Sequence, residues 1–392
     1  MVYQLKKEKR MRKRSWILAL MIVLMFTSGA LLFAGGAQEE PVEEMAPEPA
    51  MTHDELVTAA QAEGKVVVYS ITSRIAKAAD AFQEKYGIEV EHTNLKDFEL
   101  IEKVSKEGST GAKGADFVIA QDGGRVMGEL INLNYLYNYV PESMKDVIPE
   151  NFQNPLVMAF INKLFIFNNE LSTESQFTNI WALTTPEWAG NFQFKNPFQE
   201  SVNANFMTMV TKPEIADQIA AAYKDYFGKK IQLTTPNAGY EWIKAIFEND
   251  LVITTSDTKT AESIGIKGQN KKHNAGLFVF SKLRYVESKN LALQPIMDMV
   301  PFSGFYYPIY MLMSTNAQHP NAAKLFIEYL LTDEGFAPWS SDMGTYSPNP
   351  TIAIQPDDYP MTVWVDILVE EDPAYCFENR AEVEEFLNNY MY

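Results

Sequence analysis

Apolar residues fall along this chain in two rhythms. Short unbroken runs such as Val66-Val67-Val68-Tyr69 alternate with segments in which apolar residues recur every three or four positions, as at Ile75, Ala78, Ala79 and Phe82. The first rhythm suits strands covered on both faces, the second helices with one buried stripe. Read this way, a helix starts after Thr52, where Thr52-His53-Asp54-Glu55 has the form of a capping box. A strand follows over 64–70, a helix over 75–86, a strand over 88–92, a helix over 97–107 and a strand over 115–120. That alternation predicts a parallel α/β sheet. A second block from about 156 to 298 gives strands at 164–167, 191–194 and 251–254 and helices near 202–210, 213–226 and 238–249. A strand over 305–313 and a helix over 321–331 come next, and the tail over 361–392 reads as helical. No repeat of fixed period is visible.

The amino terminus differs from the rest. Lys6, Lys7, Lys9, Arg10, Arg12, Lys13 and Arg14 precede the apolar run Trp16 to Phe26 and the small residues Gly35-Gly36-Ala37. That order is an export signal, with cleavage expected after Ala37. A retained amino-terminal anchor is the alternative, because the apolar segment lengthens if Ser28 to Phe33 is counted and approaches the roughly 20 residues of a membrane span. The one cysteine, Cys376, is far from the cleavage point, so a lipoprotein is excluded and no intramolecular disulfide can form. Residues 38–51 are rich in Pro and Glu and predict a disordered tether.

Removing residues 1–37 takes seven of the 33 basic and one of the 51 acidic residues, leaving 26 against 50 and a net charge of −24. Such a surface repels nucleic acid and anionic lipid headgroups. The remaining chain of about 355 residues exceeds what one hydrophobic core organises, so two lobes are expected.

Four segments resemble the solute-binding proteins of ABC importers, in the type II two-lobed group that includes ferric-ion-binding and organophosphate-binding members. They are AQAEGKVVVYS at 60–70; GADFVI at 114–119; WALTTPEWAG at 181–190 with Asn196-Pro197; and HPNAAKLFIEYLL at 319–331 before Glu334-Gly335. The resemblance implies a type II periplasmic binding protein fold (a Venus flytrap) with two hinge crossings, near 158–167 and 297–305. It places lobe 1 at 52–160 with 300–350 and lobe 2 at 161–299 with 351–392. It implies an extracytoplasmic, monomeric receptor that takes a small polar or anionic solute in the cleft and hands it to a permease in the cytoplasmic membrane.

Ligands of open α/β sheets sit beyond the carboxyl ends of strands, near helix N-termini. Ser70, Thr72, Ser73 and Arg74 occupy such a place, with hydroxyls, amides and a guanidinium suited to a phosphate or carboxylate; a plain helix cap is the alternative for Thr72 and Ser73. Gln121 and Asp122 follow the strand that ends at Ala120, where Gly123 and Gly124 allow close approach. Asn196 and Ser201 could supply an opposing contact, as could Thr255, Ser256 and Asp257 after the strand at 251–254. Tyr306 and Tyr307 lie beside the second crossing, and strand alternation admits one of them to the cleft.

That tyrosine pair suggests iron, since ferric members of the resembled group use adjacent tyrosines. Their pair, however, follows the strand that corresponds here to Leu251-Val252-Ile253, and this chain has Thr255-Ser256-Asp257 there. Their histidine and carboxylate correspond to Thr72-Ser73-Arg74 and Gln121. Ferric binding is therefore the alternative, with no metal site or cofactor expected. An enzyme on the same scaffold is the second alternative. It finds no support in the four dispersed histidines, in Cys376, or in Glu370-Glu371-Asp372, which reads as a solvated face.

Overall fold

The computed structural model describes residues 51–173 and 178–391. The predicted leader over 1–37 and all but the last residue of the tether lie outside them. Helix α1 (His53–Glu63) opens as its sequence dictates: the Thr52 side chain accepts the Glu55 N–H, and the Glu55 carboxylate accepts the Thr52 N–H at 2.8 Å. This reciprocal cap satisfies donors that a helix start otherwise leaves unpaired. Strand β1 (Lys65–Ser70) and helix α2 (Ile75–Tyr86) follow, and α2 buries Ile75, Ala78, Ala79 and Phe82, the stripe its spacing defined. Phe82 stacks on Phe326 with ring centroids 4.4 Å apart, fixing α2 against the later helix that carries Phe326. Strand β2 (Glu89–Asn94), helix α3 (Asp97–Thr110) and strand β3 (Phe117–Ala120) complete the first half.

Strand β4 (Val157–Phe167) is buried at all eleven positions. After it come β5 (Phe192–Lys195), α4 (Ser201–Met209), α5 (Pro213–Phe227), α6 (Ala238–Glu248), β6 (Val252–Thr254), α7 (Asp257–Gly265) and β7 (Ala275–Val279). The second long strand, β8 (Gly304–Ser314), precedes α8 (Pro320–Leu330) and α9 (Asp333–Ser340). The tail was expected to be helical throughout, yet it breaks. Helix α10 (Met361–Ile367) ends before the short strand β9 (Val369–Glu370), which pairs with β8, and α11 (Pro373–Met391) then begins at a proline.

The sheet runs β2-β1-β3-β8-β4-β7-β5-β6. It is mixed: the parallel pairing expected from the alternation over 64–120 is found in β2-β1-β3, and the sheet as a whole adds antiparallel strands. Each half is parallel within itself, but β8 is antiparallel to both β3 and β4, and β4 is antiparallel to β7. Two long strands running back and forth between the halves force this reversal. The second of them is centred later than the expected 297–305. Side chains alternate across this central ladder, so Phe305, Tyr307 and Ile309 join one hydrophobic cluster while Tyr306, Tyr310 and Leu312 join the other.

Candidate functional site

Beyond the carboxyl end of β1 the chain turns through Ile71–Arg74 into α2. Ser70, fully buried, fixes this turn: its hydroxyl accepts the Thr72 N–H at 3.1 Å and donates to the Thr72 carbonyl at 3.2 Å. On the opposite side, β7 ends at Val279 and runs into a tight helical turn, Phe280–Arg284, that carries Lys282 and Arg284 outward. Between the two turns lies a cavity of about 360 Å³. Its polar wall is Thr72, Ser73, Arg74, Gln121, Glu200, Ser281, Lys282, Arg284 and Thr345, and its floor is Ile161 of β4, Tyr307 of β8 and Trp339 of α9. Both halves of the sheet therefore contribute, with the two long strands beneath.

Cations dominate the charge around this cavity. Arg74, from the first half, and Arg284, from the second, converge on one carboxylate, Asp342; the Arg284–Asp342 distance is 2.9 Å. Lys282 has no carboxylate within ion-pair distance among the described residues. Burial, and then the neighbouring Arg284, lower its pKa from the ordinary lysine range, and the same two causes lower that of Arg74. Behind Glu200 sits a second charged layer. Lys163, with no exposed surface, reaches Glu200 at 2.5 Å, Asn203 at 2.8 Å and Asp257 at 3.4 Å, and Lys195 reaches Glu200 at 2.7 Å. Burial pushes Asp257 upward, but Lys163 and Lys195 outweigh it and hold it at about 2. The two layers together set five cations against three carboxylates, in a chain whose net charge is −18.

Of the residues singled out in the sequence, Thr72, Ser73, Arg74, Gln121 and Tyr307 come together on this cavity. The others do not line it. Ser70 shapes the turn beneath it. Asp122 is taken by Arg380, which donates to both its oxygens at 2.9 Å. Asn196 accepts the Phe198 N–H at 2.8 Å as a local cap. Ser201 donates its backbone N–H to Asp97 at 3.2 Å and its hydroxyl to the same oxygen. Ser256 caps α7 by accepting the Lys259 N–H at 3.1 Å, Thr255 is exposed, and Asp257 turns inward to Lys163 and Lys195. Tyr306 points to the opposite face of the sheet, into a separate cavity. Glu371, read as part of a solvated face, is instead 5% exposed, and burial raises its carboxyl well above the usual range.

Sequence reasoning missed Lys282, Arg284, Trp339, Asp342 and Thr345. The first two had a usable signal, since Ser281-Lys282-Leu283-Arg284 follows the apolar run Ala275–Val279 just as Ser73-Arg74 follows β1. One further buried group adjoins the cleft: burial, and then Asp122, push the Asp97 carboxyl up to about 7. Among the described residues no cluster of three or more His, Cys, Asp or Glu could hold a metal ion.

A family model described as bacterial extracellular solute-binding protein matches residues 77–363. No curated protein matches the chain by sequence. Among solved structures, iron-bound HitA from Pseudomonas aeruginosa is 17% identical, with a TM-score of 0.62, covering 84% of this chain and 99% of its own. The ferric binding protein from Campylobacter jejuni is 18% identical, with a TM-score of 0.62, covering 83% and 99%. AfuA from Actinobacillus pleuropneumoniae, with exogenous fructose-6-phosphate bound, is 17% identical, with a TM-score of 0.63, covering 83% and 98%. At these identities the likeness establishes the fold and nothing finer.

Proposed function

Because the chain belongs to the bacterial extracellular solute-binding proteins and has the type II periplasmic binding protein fold, we propose that it captures a small anionic organic solute, such as a phosphorylated compound, in the Arg74–Lys282–Arg284 cleft. The family assigns it to ABC import, with a small-molecule ligand, a membrane permease as partner and a place outside the cytoplasm. The convergence of Arg74, Lys282 and Arg284 on one cavity of a strongly acidic chain carries the reading of the ligand. Thr72, Ser73, Gln121 and Thr345 supply neutral hydrogen-bonding groups around those cations. The ring of Trp339 adds an aromatic surface to the same cavity.

The lobe boundaries read from the sequence, 52–160 with 300–350 and 161–299 with 351–392, remain our proposal. In this reading closure brings the Arg74 turn and the Arg284 turn onto opposite sides of one solute. The leader over 1–37 delivers a monomeric receptor to the periplasm.

Ferric binding is the weaker reading. Tyr306 and Tyr307 face opposite sides of β8, so they cannot ligate one ion from the cleft, and burial raises both phenols away from phenolate. A receptor is favoured over an enzyme by the family and by Cys376, whose thiol is buried and pushed up by that burial. The test is a thermal-shift series on purified protein with inorganic phosphate, a hexose phosphate, a dicarboxylate and ferric citrate. The organic anions should raise the melting temperature, Arg74→Ala should abolish that rise, and ferric citrate should leave the protein colourless. A visible tyrosinate band with ferric citrate, or no response to any anion, would overturn the proposal.

A further inference from the structure

The side of the central ladder facing away from the cleft carries a second cavity, also of about 360 Å³. Its wall is aromatic: Phe152, Phe160, Tyr306, Phe336 and Tyr346 line it, with prolines of the flanking loops. The aromatic faces are held by one another, Phe152 lying edge-on to Phe160 at 4.8 Å and Phe160 edge-on to Tyr306 at 6.2 Å. Among the described residues no Lys, Arg or His contributes to the wall, and its one carboxylate is that of Glu370. That carboxylate is placed by register, because β9 pairs with β8 so that Glu370 stands directly opposite Tyr306.

The two cavities share their partition. Phe160 and Ile161 of β4, and Tyr306 and Tyr307 of β8, are neighbours in sequence that point to opposite faces, and Thr345-Tyr346 pairs with β4 at those same positions. One face of three adjacent strands thus floors a cavity whose cations come from the turns above it, and the other face lines an aromatic cavity with a single carboxylate. Aromatic rings present electron-rich faces, and a carboxylate at the edge of such a box adds a full negative charge. A volume of this size falls within the range of small-ligand pockets.

We infer that the cavity formed by Phe152, Phe160, Tyr306, Phe336, Tyr346 and Glu370 is a second ligand site, built for a small apolar organic cation such as an aromatic amine. The occupant's ring lies among the aromatic side chains and its ammonium meets Glu370. The site lies on the other face of the ladder from the cleft, with Thr345 lining both, and is opposite to it in charge preference.

The probe is phenethylammonium, with phenylacetate as its isosteric anion, titrated calorimetrically into purified protein. Two variants accompany the wild type. Glu370→Gln removes the charge at an exposed position, and Ala353→Trp, also exposed and on the cavity wall, fills the space without touching the core. Melting temperatures of both should match the wild type. Saturable binding of phenethylammonium in the millimolar range is expected, about tenfold weaker in Glu370→Gln and lost in Ala353→Trp. Phenylacetate should bind at least tenfold more weakly than the ammonium, and Arg74→Ala should leave the ammonium's binding unchanged. The inference falls if phenylacetate binds as tightly, if Glu370→Gln retains the wild-type affinity, if the ammonium shows no saturable binding, or if Arg74→Ala abolishes it, which would place the probe in the cleft.

Discussion

Replacing Lys282 with Met tests the charge logic of the cleft in two directions at once. The methionine keeps most of the aliphatic stem and removes the ammonium. In the unliganded protein that ammonium is opposed by burial and by Arg284, with no carboxylate of its own among the described residues. Its loss should therefore leave the melting temperature unchanged or raise it. In the proposed complex the ammonium is one of three cations on the solute. A charge-assisted hydrogen bond contributes about 1.5–3 kcal/mol, and because Lys282 keeps part of its surface in water the lower end applies. About 1.5–2 kcal/mol is a ten- to thirtyfold loss of affinity. Calorimetric titration with a hexose phosphate reads the second effect and differential scanning calorimetry of the free protein the first. Wild-type affinity in Lys282→Met, or a free variant that melts several degrees lower and so marks Lys282 as a structural residue, is the refuting result.

Three other outcomes follow from the same structure. Asp342→Asn releases Arg74 and Arg284 from their internal carboxylate and should tighten anion binding by about fivefold, measured by the same titration; weaker binding would make Asp342 an organiser of the guanidiniums rather than a competitor. The Asp97 carboxyl, raised to about 7 first by burial and then by Asp122, binds its proton more tightly folded than unfolded. Its contribution to stability is fully present below the ordinary value of 3.8 and is lost as pH rises through about 7, with a slope of up to about 1.4 kcal/mol per unit, so urea midpoints of wild type minus Asp97→Asn should fall across that window. Gly304 has φ +149, and a Cβ there would overlap the Lys163 carbonyl of β4, so Gly304→Ala should cost about 3 kcal/mol by urea denaturation; a loss below about 1 kcal/mol would show that the ladder can shift.

The first half of the fold was legible because its signals are local. The capping box at Thr52 and Glu55 and the stripe at Ile75, Ala78, Ala79 and Phe82 depend only on neighbours along the chain, and α2 begins and ends where the periodicity placed it. The mixed sheet was not legible, because strand direction is set by which strands meet, and β8 pairs with β3 and β4 across nearly 200 and 150 residues respectively. The cleft divides in the same way. Arg74 was found from the end of β1, but Arg284 required knowing that β7 lies next to β4. Thr255-Ser256-Asp257 met the same strand-end criterion, and there local chemistry won: Ser256 caps α7 and Asp257 answers two buried lysines. For Asp97, nothing in the segment Lys96-Asp97-Phe98 announced burial, because the residue that encloses it, Ser201, comes from the other half.

The alternation of side chains through β4, β8 and Thr345-Tyr346 also bears on how specificity in such a protein can change over evolution. Because adjacent residues serve opposite faces, a one-residue insertion or deletion in β8 would exchange Tyr306 with Tyr307 and invert the lining of both sides together. Such a change ruins two surfaces to alter one. The turns that carry Arg74 and Lys282-Leu283-Arg284 lie outside the ladder and are free of this constraint. With solute bound in the proposed cleft, descendants of this chain can therefore explore new solutes by substitution and length change in those turns, while the strands beneath are held to an invariant count.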